Sequence, residues 1–218
     1  MKTLYFVRHG RTLFNQLFKV QGISDTPLLA EGKQKAIDLG KQFKQEDIKF
    51  DAVFSSDLGR ARQTTRLLIA NSANPQLTFV ESEDFREVSF GMFEGILNEE
   101  MWSRVRKFSG IDNLRAESPD NLRIQALASI KQMDEFHLAE SYDDVKKRIN
   151  RVLKQMTNSD ATAVLAVSHG LFIDCILYSL FGDQITLNGI PNTSVTKITY
   201  DEQEKTFQVD YIGRETDF

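Results

Sequence analysis

Leu4-Tyr5-Phe6-Val7-Arg8-His9-Gly10-Arg11-Thr12 decides the architecture of this chain. Its first four residues are a short apolar run rich in β-formers, which predicts a strand buried on both faces. Arg8 and His9 end the run and Gly10 follows them. A second stretch has the same form: Ala161 to Val167 is a strongly apolar strand that runs into Ser168-His169-Gly170 and then an apolar helix to Phe181. Between the two, Ala36, Leu39, Gly40 and Phe43 fall at i, i+3, i+4 and i+7, the spacing of an amphipathic helix. Ala30 stands at its start, where Ser, Thr or Asp would cap better. Ala52-Val53-Phe54 reads as another buried strand. Ser55-Ser56-Asp57 then offers N-cap chemistry for a helix marked by Leu58, Ala61, Thr65, Leu68 and Ile69. Leu77 to Val80 reads as a third strand, and Ser194 to Tyr200 with Thr206 to Ile212 as a closing hairpin around Asp201-Glu202. Strands alternating with helices imply a three-layer α/β/α fold with a mostly parallel central sheet.

From about Leu97 to Asn158 the pattern is helical and more polar, broken at Gly110 and at Ser118-Pro119. We read residues 1–218 as a single domain and roughly 97–140 as a helical lid or insertion. Its charged residues, Glu99, Glu100, Arg104, Arg106 and Lys107, suggest a polar and mobile cover.

The chain has 218 residues, 41% of them hydrophobic and 27% charged, an ordinary globular balance. Its formal net charge of −4 argues against a general nucleic-acid binder. It also means that any anion site must be a local cluster of Arg, Lys and His. The one cysteine, Cys175, lies in an apolar stretch and reads as a buried structural thiol, so no disulfide framework forms within the chain. No apolar run reaches the roughly 18 residues of a membrane span, and the N-terminal run is too short for a signal peptide. Cytoplasm is the expected location, and neither a membrane nor a nucleic acid is an expected partner. Whether the chain is a monomer or a homodimer stays open.

Of the three histidines, His9 and His169 share a context: each follows an apolar strand and precedes a glycine. In open parallel sheets ligands bind at the carboxyl ends of strands. Two such histidines can therefore face each other across one crevice. His137 has no such context and reads as a helix-surface or partly buried residue. Arg8 and Arg11 flank His9, and arginine presents a planar fork of donors that matches phosphate oxygens. A neutral imidazole is a competent nucleophile toward phosphorus if its other nitrogen is held protonated, and a backbone carbonyl near Gly10 is the expected acceptor. Arg60 falls in the first turn of a helix, and a helix N-terminus favours anions.

Arg8-His9-Gly10-Arg11-Thr12 with Asn15, Ser56-Asp57-Leu58-Gly59-Arg60-Ala61 with Thr64, Glu87 with Gly91 and Glu94-Gly95, and Ser168-His169-Gly170 occur in that order. The chain thereby resembles the histidine phosphatase superfamily, also called the phosphoglycerate-mutase-like family, over nearly its whole length. The resemblance implies that His9 accepts a phosphoryl group, that Arg8, Arg60 and His169 hold its oxygens, and that Glu87 protonates the leaving group. It places Thr12 and Asn15 near the phosphate, Gln21-Gly22 at the pocket mouth and Gly170 beside the second histidine. It implies no cofactor and a small phosphomonoester as substrate. The mutase branch often carries asparagine where this chain has Leu171, and a proline-rich insertion where this chain has only Pro119. Both departures favour a phosphatase. The alternatives are a mutase, a non-catalytic phospho-ligand module, which has no need of a nucleophile and an acid together, and a metal site, which the flanking arginines oppose. Phe14, Phe18, Phe90, Met92, Phe93, Trp102 and Phe108 are core or mouth aromatics and apolars. Lys19 and Arg106 are surface residues or holders of a second acidic group.

Overall fold

In the computed structural model, which describes residues 1–158 and 160–218, the opening run forms strand β1, Lys2–Arg8. Its side chains alternate between two apolar layers. Leu4 and Phe6 enter one cluster and Tyr5 and Val7 the other. Strand β4, Ala163–Ser168, pairs with β1 in parallel from Thr3↔Ala163 to Arg8↔Ser168. On its other side β4 carries β2, Ala52–Ser56, and β2 carries β3, Val80–Ser82, both again parallel. The hairpin, β5 (Val195–Asp201) and β6 (Thr206–Arg214), adds to β1 antiparallel and completes the order β3-β2-β4-β1-β5-β6.

Helices cover both faces. α1, Leu13–Gln16, is a single turn beside the first loop. α2 (Ala30–Gln45) and α3 (Gly59–Ala70) pack Leu39, Phe43, Leu68 and Ile69 against the Tyr5 face. α4 (Asn98–Ser109), α5 (Asp120–Gln125), α6 (Leu127–Met133), α7 (Tyr142–Thr157) and α8 (Gly170–Phe181) cover the Leu4 face. This is the expected three-layer α/β/α arrangement. The polar segment is helical as read, and it ends α4 at Gly110 with φ 72°, a left-handed conformation that glycine adopts without strain. Glu99, Glu100, Arg104 and Lys107 face outward while Met101, Val105, Ile124, Leu127 and Ile130 are fully buried in the same cluster as Leu4 and Phe6.

Three local expectations change. The third strand is shifted to Val80–Ser82, because only there does the chain run alongside β2; Leu77 and Phe79 pack against the core outside the ladder. The helix after β2 starts later than Ser55-Ser56-Asp57 suggests. Its N-cap is Leu58, which offers no side-chain cap. The missing acceptor arrives from a distant loop: Asp25 takes the Gly59 N–H at 2.6 Å and the Arg60 N–H at 3.3 Å. Asp57 instead pairs with Arg86. His137 lies in an exposed bend with φ 55° rather than on a helix. Cys175 is fully buried, and burial pushes its thiol well above the usual range.

Candidate active site

β1 and β4 are hydrogen-bonded neighbours, so the residues just past their carboxyl ends emerge side by side. The His9 N–H donates to Ser168 O at 2.9 Å, and the His9 and His169 ring centroids lie 5.1 Å apart. His9 Nδ1 sits 2.8 Å from Gly10 O, so Nδ1 carries the proton and Nε2 presents its lone pair. Burial first, then Arg60 and Arg8, holds the His9 imidazole well below its usual pKa, and it is neutral at physiological pH. His169 is depressed for the same leading reason, with Arg60 and His9 next. Ser56 Oγ accepts the Leu58 N–H at 3.3 Å and lies 2.8 Å from His169 Nε2. A hydroxyl that donates to Nε2 leaves the proton on Nδ1, which meets no partner among the described residues and is free to donate to an oxygen of a bound phosphate.

Arg60, 1% exposed, reaches the centre from the first turn of α3. Its Nε donates to His9 Nε2 at 3.2 Å, and its Nη atoms are fixed by Gly22 O and Ser24 O, both at 2.7 Å, and by Asp25 at 3.2 Å. The Gly22–Ser24 loop that supplies these carbonyls is itself pinned from beneath by Glu94, whose carboxylate accepts the N–H groups of Gly22, Ile23, Ser24 and Phe90 at 3.0–3.1 Å. Gly22 admits no side chain here: a Cβ would stand 2.2 Å from Val88 O and 2.3 Å from Glu94 Oε1. Arg8 donates to Ile190 O, and its Nε is buried without a partner among the described residues. A Cβ at Gly170 would crowd Arg8 Nε at 3.2 Å, which accounts for glycine after the second histidine.

Glu87 lies in the segment that follows β3, and its side chain reaches the start of α8. Its Oε1 accepts the N–H groups of Val88 at 3.0 Å and Phe172 at 2.8 Å, and its Oε2 accepts only that of Leu171 at 3.2 Å. Burial pushes the Glu87 carboxyl above the ordinary range, opposed by the Val88 N–H and by Arg60 and Arg8. Oε2, with one long bond, is the oxygen with room for a proton. Arg148 braces this segment by donating to the carbonyls of Asp84, Arg86 and Glu87.

Thr12 and Asn15 form a capping box at α1 rather than a pair of free polar groups. Thr12 also donates to Gln21 Oε1 at 2.9 Å, which leaves Gln21 Nε2 a buried donor without a partner among the described residues. Asn192, which sequence reasoning missed, donates to His9 O at 3.0 Å and to Asn15 Oδ1 at 3.2 Å, and so ties the His9 loop to the segment before β5. Glu94 entered the sequence argument only as part of a motif, and Asp25 not at all. The anion seat expected at the α3 N-terminus is already filled by Asp25, and that of α8 by Glu87.

A cavity of about 500 Å³ opens onto this cluster. Of the residues singled out, its wall takes Arg8, Asn15, Gln21, Glu87 and Gly170, while His9, Arg60 and His169 are no more than 3% exposed and are not part of the wall. Gly22 acts through its carbonyl and Thr12 through Gln21. Phe18, Phe90, Trp102 and Lys19 also line the cavity. Phe93 is core, Phe108 is exposed, and Arg106 lines a separate cleft. Among the described residues no group of three or more His, Cys, Asp or Glu is placed to hold a metal ion, and no helix is long and apolar enough to cross a membrane.

A neutral, oriented histidine beside a second histidine, the buried Arg60 and the half-buried Arg8, at the carboxyl edge of a parallel sheet, is an arrangement that can hold a phosphoryl group. The chain belongs to the histidine phosphatase superfamily (branch 1), which it matches over residues 4–211. It is similar to the probable phosphoglycerate mutase GpmB of Shigella dysenteriae serotype 1 (strain Sd197), 29% identical over 206 residues, which are 93% of this chain and 86% of that protein. The crystal structure of phosphoglycerate mutase from Bacillus anthracis str. Sterne superposes with a TM-score of 0.87 at 32% identity, covering 98% of this chain and 93% of that one. The alpha-ribazole phosphatase from Shigella flexneri, 20% identical with a TM-score of 0.73 over 98% and 97% of the two chains, shares the fold.

Proposed function

We propose that this chain is a phosphomonoesterase that passes a phosphoryl group from a small phosphorylated metabolite to His9 and then to water. The observation that carries the reading is the buried, neutral His9 imidazole with Nδ1–H fixed on Gly10 O and Nε2 directed at Arg60. An entering phosphoryl group displaces the Arg60–His9 bond, so the fork turns from the nucleophile to the phosphate oxygens. Nε2 attacks phosphorus as the ester P–O bond breaks. Glu87, whose carboxyl burial shifts toward the protonated form, gives a proton to the leaving oxygen. The Glu87 carboxylate then takes a proton from water, whose oxygen attacks phosphorus. The N–P bond breaks and neutral His9 returns with inorganic phosphate. Arg8, Arg60 and His169 Nδ1 supply fixed donors to the equatorial oxygens, the main requirement of phosphoryl transfer.

The names of the Bacillus anthracis and Shigella relatives favour a mutase, in which a second hydroxyl replaces water. Against it stands the cavity wall, where Glu99, Glu117, Asp120 and Asp174 outnumber the cations Arg8, Lys19 and Arg123. The test incubates the protein with 3-phosphoglycerate and a catalytic amount of 2,3-bisphosphoglycerate, measuring both isomers and free phosphate. Phosphatase action releases phosphate with negligible isomerisation; isomerisation far faster than release overturns it. In the same preparation, quenched turnover leaves an acid-labile, base-stable phosphate that His9→Ala abolishes. Phosphate on serine or aspartate would end the histidine mechanism.

A further inference from the structure

Asp174, on α8, is 1% exposed and lines the cavity, yet neither of its carboxyl oxygens meets a protein donor among the described residues. The side chain it faces is another carboxyl, Asp120 of α5, also buried at 2% exposure. Asp120 is neutralised by Arg123, one helical turn along, which also lies over the Trp102 ring. Asp174 has no such cation to itself. Burial, then the Asp120 carboxyl beside it, push the Asp174 carboxyl well above the ordinary range. A buried polar atom left without a partner costs about 1–3 kcal/mol, and here the unmet oxygens belong to the wall of the cavity. Such a wall is complementary to a group that donates hydrogen bonds and hostile to another carboxylate.

We propose that the Asp120–Asp174 carboxyl pair is the specificity-determining subsite for the leaving group, and that it takes a hydrogen-bond donor, hydroxyl or ammonium, carried by the alcohol part of the phosphomonoester. The inference rests on the phosphomonoester reading above and names what the ester carries. A hydroxyl donates to an unmet Asp174 oxygen. An ammonium donates to Asp174 and Asp120 together. A carboxylate beside the pair meets two other carboxyls, and Arg123 there is already held by Asp120; the wall's other cations are Arg8 and Lys19.

The test measures dissociation constants for the non-turning-over His9→Ala protein, so its outcome does not depend on hydrolysis. Propyl phosphate is compared with glycerol 3-phosphate in the hydroxyl arm, ethyl phosphate with O-phosphoethanolamine in the ammonium arm, and 3-phosphoglycerate supplies the carboxylate. At least one donor-bearing ligand is expected to bind about tenfold or more tightly than its partner, as one unmet buried hydrogen bond implies, and 3-phosphoglycerate more weakly than either. Adding Asp174→Ala, or Asp174→Asn should the alanine variant melt early, erases the preference. Equal affinities within threefold in both arms, a preference that survives both substitutions, or tighter binding of 3-phosphoglycerate overturns the subsite. Absence of phosphate release by the unaltered protein from every ester, p-nitrophenyl phosphate included, is the separate failure of the phosphatase reading.

Discussion

Glu94→Gln replaces one of the two oxygens that hold the Gly22–Ser24 loop with an N–H₂ group. Whichever way the amide turns, it faces two backbone N–H groups, Gly22 and Ser24 on one side or Ile23 and Phe90 on the other. Two acceptor bonds are lost and the other two lose their charge. Hydrogen bonds to a charged group contribute about 1.5–3 kcal/mol each. Two of them give about 3–6 kcal/mol by that scale, and water reaching this half-buried side chain reduces the loss to about 2–4 kcal/mol. For a chain of this size that lowers the melting temperature by about 4–16 °C. The same loop supplies the Gly22 and Ser24 carbonyls that fix Arg60, and a displacement of about 1 Å at a positioned group costs on the order of 10² in rate. Differential scanning calorimetry and kcat/KM for p-nitrophenyl phosphate read the two effects. A melting temperature within 2 °C of the parent would refute the four-bond account. A lowered melting temperature with kcat/KM within threefold would refute the link from Glu94 to Arg60.

Glu87→Gln should slow alkyl phosphates by about 10²–10⁴ and p-nitrophenyl phosphate far less, because that leaving group departs without a proton; equal losses would remove Glu87 from the role of acid. Glu87 works protonated and its pKa is raised, so kcat/KM for alkyl esters should fall only as pH climbs through that raised value, while His9 works neutral and its pKa is depressed, so activity should persist below the usual imidazole range. A steady-state pH profile with an acid limb near the ordinary histidine value would contradict the buried, neutral His9. Arg60→Lys should cost about 10²–10³ in kcat, since a point charge cannot replace a fork, and near-parental turnover would remove Arg60 from the transition state. Asp25→Ala, which uncaps α3, should cost about 0.5–2 kcal/mol, measured as a shifted urea midpoint with unchanged slope; no shift would mean that water caps the helix as well as Asp25 does.

The strand-to-His-Gly motifs were legible because everything that makes them is local. Four apolar residues fix β1, and the acceptor for His9 Nδ1 is the carbonyl of the next residue. The two-layer alternation of Leu4–Phe6 against Tyr5–Val7 follows from the period of a strand. What sequence could not show is supplied across long separations. The cap of α3 comes from Asp25, and nothing near Gly59 announces it. Apolar character placed the third strand too early, since Leu77 and Phe79 are core residues without being ladder residues. The charged outer faces of the 97–140 helices concealed how much of that segment is core. Asp120 and Asp174 carry no local signal, and only the packing of α5 on α8 brings the two carboxyls together beside a cavity.

His9 and His169 are placed by the pairing of β1 with β4, from Thr3↔Ala163 to Arg8↔Ser168, and not by any helix. The far wall of the cavity, by contrast, is drawn largely from residues 98–123. On the proposed reading, the strand ends that hold the reacting histidines and most of the far wall therefore come from different segments, which meet at Asp174 of α8. A segment grafted in place of residues 98–123 should change which esters bind while leaving His9 and His169 where the ladder puts them.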